Sequence, residues 1–494
     1  MKRILPLIFL VLLFTAAVRE VMDPDFWWHL RTGQYIAETH TIPHLEIFSG
    51  TSVGKPWIAH EWLTELAMYA VYKVGGFAGL IVISSAVVTA AFVITYLRCL
   101  GEPVTAAVSV MFAAFAASLS WGARPQMVTI LIASAFLLIL EKFVCSRTKF
   151  VWLLVPLTLV WVNLHGGFPL GIFLIIFFMF GIAVDAGAER HWTEGTKRSL
   201  LTLGGVLAAT IVVVPLNPNG AKIFKYPLET LRSDSMRTYI SEWHSPDFHN
   251  TGFLPFAFLL LLTITVLAVS ERRVRLSKLL LVLASLYASL QSARHIPIFS
   301  IVVAPVLAGH LSEIPLWSRM VDRFTSERCG VKATGITLLV FVCAIGAWRV
   351  SNVIQNQPSW ERTEFPAGAV EFLRTHKMPA PIYNPYEWGG YLIWNLYPEY
   401  RVYIDGRADV HGDEFVAEYF QAVRGRITPL AQLERHNIRT VIVDAHSPMA
   451  SLLRQSSQWV VAFEDSQAIV ITRRSSGTGT LVGPAGFEPA TNGL

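Results

Sequence analysis

The chain has 494 residues, of which 53% are hydrophobic and only 15% charged, with a net charge of +5 and a mean hydropathy of +0.47. That balance argues against a water-soluble fold of this length. The basic residues sit in short clusters between apolar runs, which points to membrane orientation and away from nucleic acid.

The apolar runs are about 17 to 22 residues long, enough to cross a hydrocarbon core of about 30 Å as helix. A β-barrel would show short alternating segments instead. The first run, 4–18, follows Met1, Lys2 and Arg3, and the Asp23 and tryptophan pair close behind it predict a retained helix rather than a cleaved signal. Further spans are expected at 76–97, 104–120, 126–140, 150–162, 170–184, 201–215, 254–269, 279–290, 296–311 and 334–347, for a mainly α membrane protein of about eleven helices. Alternate loops carry Arg98, then Lys142, Arg147 and Lys149, then Arg190, Lys197 and Arg198, then Arg272, Arg273, Arg275 and Lys278, and finally Arg319, Arg323, Arg328 and Lys332. Loops so rich in base are expected on the cytoplasmic side, which leaves the N-terminus in the cytoplasm and everything after Ala347 outside. Cys99, Cys145 and Cys329 fall near inside loops and Cys343 in a span, so no disulfide framework is expected.

The polytopic part is expected to occupy 1–350, and 351–474 to form a small outer α/β domain. Its expected elements are a helix at 366–375, a strand at 381–384, a helix at 387–396, a strand at 401–405, a helix at 414–423, a strand at 440–444 and a closing pair at 459–463 and 468–472. The Gly, Ser, Thr and Pro rich stretch 475–494 is expected to be disordered. There is no internal repeat and no inverted symmetry of broken helices.

The richest polar segment directly follows the first helix: Asp23-Pro-Asp25-Phe-Trp-Trp-His29, then Trp57-Ile-Ala-His60-Glu61-Trp62. Two carboxylates one residue apart, where a helix leaves the membrane, suit either a divalent cation or deprotonation of a hydroxyl. They equally suit solvated helix-end acids beside an aromatic belt. His60-Glu61 likewise reads as a second acid or ligand pair, or as the start of an amphipathic interfacial helix through Glu65 and Tyr69.

A first helix, a long outer loop opening on an acidic pair, about ten more helices and an outer soluble domain together resemble the GT-C glycosyltransferases. These include oligosaccharyltransferases, protein O-mannosyltransferases and lipid A aminoarabinose transferases. The motifs Asp-x-Asp-x-Trp-Trp-His and His-Glu-Trp are similar to those of a bacterial GT-C-like subgroup, and the resemblance covers about residues 1–474. It implies transfer of a sugar from a polyprenyl phosphate to a glycan, lipid or protein acceptor at the outer face of the cytoplasmic membrane. Asp23 or Asp25 would be the catalytic carboxylate, with Mg2+ or Mn2+ held by the same pair as an expectation, and Glu61 a further acid. His29 and His60 would contact substrate.

Other outer-face turns place polar residues at membrane depth, where they are costly. Arg124 suits a donor phosphate, Asn163 and His165 a shared cavity wall, and Arg294 with His295 a second cationic spot. Each also reads as a snorkelling or capping residue. Asn217-Pro-Asn219-Gly is turn chemistry first, while Glu242 and Asp247 are candidate acceptor contacts. In the outer domain, Asp405-Gly-Arg407-Ala-Asp409 suits ligand recognition at a sheet edge or an internal ion pair. No phosphate-binding loop, dinucleotide fingerprint, zinc cysteine set or nucleophile elbow is present. A non-catalytic assembly protein and a transporter or flippase remain as alternative readings.

Overall fold

The computed structural model describes residues 4–325 and 329–474; the disorder expected for 475–494 lies outside the described residues. The helices in chain order are α1 (Leu5–Ala17), α2 (Phe26–Thr39), α3 (Trp62–Arg98), α4 (Pro103–Ala117), α5 (Gln126–Ser146), α6 (Leu154–Leu164), α7 (Pro169–Ala188), α8 (Glu194–Val213), the short α9 (Lys225–Arg232) and α10 (Asp234–Tyr239), α11 (Leu254–Val269), α12 (Leu276–Gln291), α13 (Ile296–Leu311), α14 (Pro315–Thr325) and α15 (Cys329–Glu364). Among the described residues, eight helices are long and apolar enough to cross a membrane, and 5–17, 149–164 and 276–291 are shorter apolar helices. Every span expected from the sequence falls on one of these, and the chain is a multi-pass membrane protein.

The bundle is organised around α13, which packs on α4 and α12. Two-thirds of its apolar window (67%) is buried, against 22% for α11, so α13 is the central helix and α11 faces lipid on most sides. At one end, Arg98 forks onto Glu141 at 2.9 and 2.8 Å and donates to the Ile301 carbonyl at 2.6 Å, tying α3, α5 and α13 together. A buried guanidinium is tolerated there because its donors are met by a carboxylate and a carbonyl.

Residues 365–474 form the α/β layer. Its sheet runs β1 (Ile382–Tyr383), β2 (Thr440–Asp444), β4 (Ala468–Arg473), β3 (Trp459–Glu464), with β1 parallel to β2 and the other pairs antiparallel. Helices α16 (Ala367–Thr375), α17 (Gly389–Leu396), α18 (Ala408–His411) and α19 (Asp413–Val423) flank it. The layer shares one core with the first outer loop: Phe26, Trp27, Trp28, Phe48 and Trp57 pack with Phe365, Val370, Tyr391, Leu392 and Val470. Trp27 meets Tyr391 edge-on at 4.9 Å. The loop and the α/β layer therefore share one packed core, against which the acidic pair is held.

Three expectations need correction. Glu61 and Glu65 do not face an interface: both are buried, because α3 turns them towards α2, and Gly33 lets the two helices close until a Cβ there would lie 2.0 Å from the Glu65 carbonyl oxygen. Segment 401–405 is extended but is not a strand of the sheet; Val402 exchanges backbone hydrogen bonds with Phe48 and Gly50 of the first loop at 3.0 and 2.8 Å, so its pairing partner lies in the other half of the chain. The composition change at about 352 is not a structural boundary, since α15 runs on to Glu364 and Gln357 bonds the Val21 backbone at 2.8 Å.

Candidate active site

The chain leaves α1 and re-enters helix at Phe26, so Asp25 stands at the N-terminal cap of α2. There its amide donates to Asp23 Oδ1 at 2.8 Å, and Asp25 Oδ1 accepts the Trp28 indole N–H at 3.1 Å. Arg124, in the turn between α4 and α5, reaches between the acids. Its Nε donates to Asp23 Oδ2 at 2.8 Å, Nη2 lies 3.5 Å from Asp25 Oδ2, and Nη1 bonds Glu242. Behind Asp25 stands Gly406 of the α/β layer, where a Cβ would come within 1.6 Å of Asp25 Oδ1. Only glycine permits that approach.

Burial raises the Asp25 carboxyl to about 7, and the neighbouring Asp23 adds to the rise, while Arg124 and the Trp28 hydrogen bond hold it back. Burial raises Asp23 as well. Burial also acts on Glu242, but Arg124 and Arg294 outweigh it and hold that carboxyl below its ordinary value. Arg124 is buried too, yet Asp23, Glu242 and Asp25 together raise its pKa and keep it charged. Asp25 is thus balanced between its two protonation states near neutral pH, the condition for a general base.

One turn of α2 beyond Asp25 stands His29, beside Glu61, which is the hub of a buried histidine cluster. His165 Nδ1 accepts the Gly167 amide N–H at 2.9 Å and sits 2.7 Å from the Thr129 hydroxyl, which itself accepts Trp161 Nε1 at 2.9 Å. This leaves the His165 proton on Nε2, which donates to Glu61 Oε1 at 3.1 Å. His60 stacks on Tyr226 at 3.8 Å, donates from Nδ1 to the Ile58 carbonyl at 3.1 Å, and places Nε2 3.5 Å from Glu61 Oε1. His29 Nδ1 faces Glu65 Oε1 at 3.0 Å and Glu61 Oε2 at 3.4 Å. Burial pushes His29 down to about 3, so its ring is neutral. Burial opposes ionisation of Glu61 too, but the charge of His60 and the hydrogen bonds from His165 and His60 outweigh it and hold the carboxyl well below its usual range.

These groups line a polar cavity of about 280 Å³, bounded by Asp23, Asp25, His29, His60, Glu61, Arg124, His165, Glu242 and Arg294, and closed by Tyr386, Arg407 and Asp409 of the α/β layer. An apolar groove of about 480 Å³ adjoins it, walled by Met127, Ile130, Leu170, Phe173, Leu174 and Leu281. His60, Gln126, His165, Tyr226, Trp243 and Arg294 belong to both. Arg294 lies over the Trp243 ring at 5.2 Å and has no hydrogen-bond partner among the described residues. The two arginines that look alike in the sequence therefore differ: Arg124 is engaged by three carboxylates, and Arg294 presents a free guanidinium where the cavity meets the groove.

Not every expected residue reaches the cavity. Asn163 braces helix ends, accepting Trp62 Nε1 at 3.1 Å and donating to the Leu159 carbonyl at 2.9 Å. His295 lines the groove. Asp247 is an exposed partner of His249 at 3.1 Å, and Asn217 makes the turn expected of it, accepting the Asn219 amide at 2.9 Å. Asp405 and Arg407 pair at 2.7 Å, and Arg407 also bonds Glu46 at 2.6 Å beneath Trp57, so they join the layer to the first loop; Arg407 and Asp409 line the cavity and Asp405 stands behind them. Glu65 and Tyr226 carried no site signal in the sequence, although Glu65 lies one helical turn beyond Glu61.

The acidic pair is a poor fit for Mg2+ or Mn2+. Asp23 Oδ1, Asp23 Oδ2 and Asp25 Oδ1 each already accept a hydrogen bond, and Arg124 stands where an oxygen-ligated cation would lie. An octahedral ion needs several such oxygens at about 2.1 Å.

No family model and no curated protein matches the chain. Solved structures do. ArnT from Cupriavidus metallidurans bound to undecaprenyl phosphate superposes with a TM-score of 0.52 at 12% identity, covering 97% of this chain and 99% of that one. The archaeal oligosaccharyltransferase AglB from Archaeoglobus fulgidus, in complex with an inhibitory peptide and a dolichol-phosphate, gives 0.52 at 12% identity over 90% and 69%. At such identities the likeness is one of architecture, and the chain has the GT-C fold of these membrane glycosyltransferases.

Proposed function

We propose that the protein transfers a sugar from a polyprenyl-phosphate carrier to an acceptor hydroxyl or amide at the outer face of the cytoplasmic membrane. The observation that carries this reading is the junction of an acid-lined polar cavity with an apolar groove at an unpaired arginine. A prenyl chain suits the groove, its phosphate suits Arg294 by charge-assisted hydrogen bonds, and the sugar then extends towards Asp25. The acceptor atom attacks the anomeric carbon as the bond to the phosphate oxygen breaks. Asp25 takes the acceptor's proton, and polyprenyl phosphate is the leaving group. Arg124 holds Asp25 in place and tunes its charge, with Asp23 and Glu242 completing the brace. In this scheme no divalent ion is required at the acidic pair, since the guanidinium supplies the positive charge. In this reading the N-terminus lies in the cytoplasm and the α/β layer outside, which the basic loops support. The similar folds that bind undecaprenyl phosphate and dolichol-phosphate support the donor class.

The test is transfer from a panel of labelled polyprenyl-phosphate sugars by purified protein in lipid nanodiscs. Asp25→Asn is expected to lower kcat by about 10²–10⁴-fold, the range for loss of a general base. Full activity in that variant would remove Asp25 from the mechanism, and no transfer from any donor by folded wild type would remove the reaction.

A further inference from the structure

We propose a second site of different chemistry in the cavity wall: a divalent transition-metal cation of the zinc class, held by His29 Nδ1, Glu61 Oε2 and Glu65 Oε1. The three ligand atoms lie within 4.8 Å of one another and all three side chains are buried. Tetrahedral ligands at about 2.0–2.1 Å from zinc are separated by roughly 3.3 Å. His29 Nδ1 stands 3.0 Å from Glu65 Oε1 and 3.4 Å from Glu61 Oε2, so two edges already match.

Hydrogen bonding alone accounts poorly for this arrangement. One ring nitrogen offers at most one proton, yet two carboxylates converge on it. Glu65 Oε2 is buried with no hydrogen-bond partner among the described residues, and an unmet buried carboxylate oxygen is costly. Neither Glu61 nor Glu65 has an arginine or lysine within ion-pair distance among the described residues. By contrast, every carboxylate of the Asp23, Asp25 and Glu242 group meets Arg124. A cation on His29, Glu61 and Glu65 would give the two converging carboxylates a shared partner and neutralise their charge. Imidazole nitrogen with carboxylate oxygen selects zinc-like ions over Mg2+, which prefers an all-oxygen octahedron.

The site ties α2, the 58–61 turn and the start of α3 to one point. His29 and Glu61 line the cavity, so the fourth position opens onto it. Glu61 would bind the ion through Oε2 while its Oε1 accepts His165 Nε2–H, the hydrogen-bonded support that metal-binding carboxylates ordinarily have. Metal occupancy would thereby set the position of His165 and, beside it, His60.

The test reads metal, not sugar transfer, and so is independent of the proposed reaction. Purified protein in nanodiscs is stripped with a chelator, dialysed against Zn2+, and its bound metal measured by plasma mass spectrometry; parallel samples take Co2+ for its visible ligand-field spectrum. About one equivalent of Zn2+ per chain is expected, with the intense absorption of four-coordinate Co2+. His29→Ala and Glu65→Gln are each expected to lower retention at least tenfold, whereas Asp23→Asn and Asp25→Asn retain it. If the two site variants fail to fold, the wild-type stoichiometry and Co2+ spectrum still decide. No retained Zn2+ in folded wild type, an octahedral Co2+ spectrum, or metal lost from the Asp23 and Asp25 variants but kept in the His29 variant would each overturn the proposal.

Discussion

Replacing Arg124 by glutamine keeps a hydrogen-bonding group and removes the charge that lies 2.8 Å from Asp23 and 3.5 Å from Asp25. Two unit charges about 4 Å apart interact by roughly 4 kcal/mol at an effective dielectric of about 20. The Asp25 side chain is 27% exposed to the cavity, and screening there reduces the figure to about 2–4 kcal/mol. At about 1.4 kcal/mol per pKa unit, the Asp25 carboxyl would climb by roughly 1.5–3 units above its present value of about 7. The base must be ionised to accept a proton, so the ascending limb of kcat/KM against pH moves to the alkaline side. At neutral pH the ionised fraction falls from about one half to between roughly 0.03 and 0.001, and transfer falls by roughly 15–500-fold. Raising the pH to about 9.5 recovers much of it. The assay is kcat/KM for the lipid-linked sugar in nanodiscs across this range, with Arg124→Lys as a charged control that lacks the planar fork. An unshifted limb with a raised donor KM at every pH would refute the argument, and would make Arg124 a phosphate ligand.

Four further outcomes follow from the same geometry. Gly406→Ala would drive a methyl to 1.6 Å from Asp25 Oδ1; displacement of the acid should lower kcat about 10–100-fold with little change in donor KM, read by steady-state kinetics. Arg294→Ala removes the free guanidinium over Trp243 and should raise donor KM by roughly 10–100-fold, the worth of a charged hydrogen bond, while leaving the pH limb in place. Arg407→Gln leaves Glu46 and Asp405 buried and unpaired, which should cost about 3–5 kcal/mol and lower Tm in detergent. Asp25→Asn should raise thermal stability at about pH 8 and not at about pH 4. The reason is that the folded pKa of Asp25 is raised above its unfolded value, so stability is lost as pH rises through about 7, and a neutral amide escapes that loss.

The membrane helices were legible because a span must be apolar over about 20 residues whatever it packs against. The acidic pair and its His60-Glu61 companion were legible because acids beside tryptophans at a helix exit are costly to keep without use. What was not legible depends on contacts between distant parts of the chain. The strand expected at 401–405 has β-forming residues, but its partner is Phe48, some 354 residues away in the loop contact Arg401–Ile47. Glu65 reads as part of a surface stripe until Gly33 brings α2 onto it. The α/β boundary near 352 was placed on composition, yet α15 stays helical to Glu364, and its Gln357 is bonded to the first loop.

Arg124 and Arg294 show why residue type alone leaves the site underdetermined. Each is a lone arginine in a turn before an apolar run, and each suits a phosphate. In the folded chain one is surrounded by three carboxylates and the other lies on an indole with its donors free. A phosphate approaching Arg124 would meet the negative charge of Asp23 and Glu242 before it met a free N–H, whereas at Arg294 it meets cation and aromatic face together. The same cluster that repels a phosphate favours an acceptor that arrives neutral and leaves its proton behind. The two ends of the cavity are thereby distinguished by charge, and under the proposed reaction the donor phosphate belongs at Arg294 and the acceptor at Asp25, with the sugar between them.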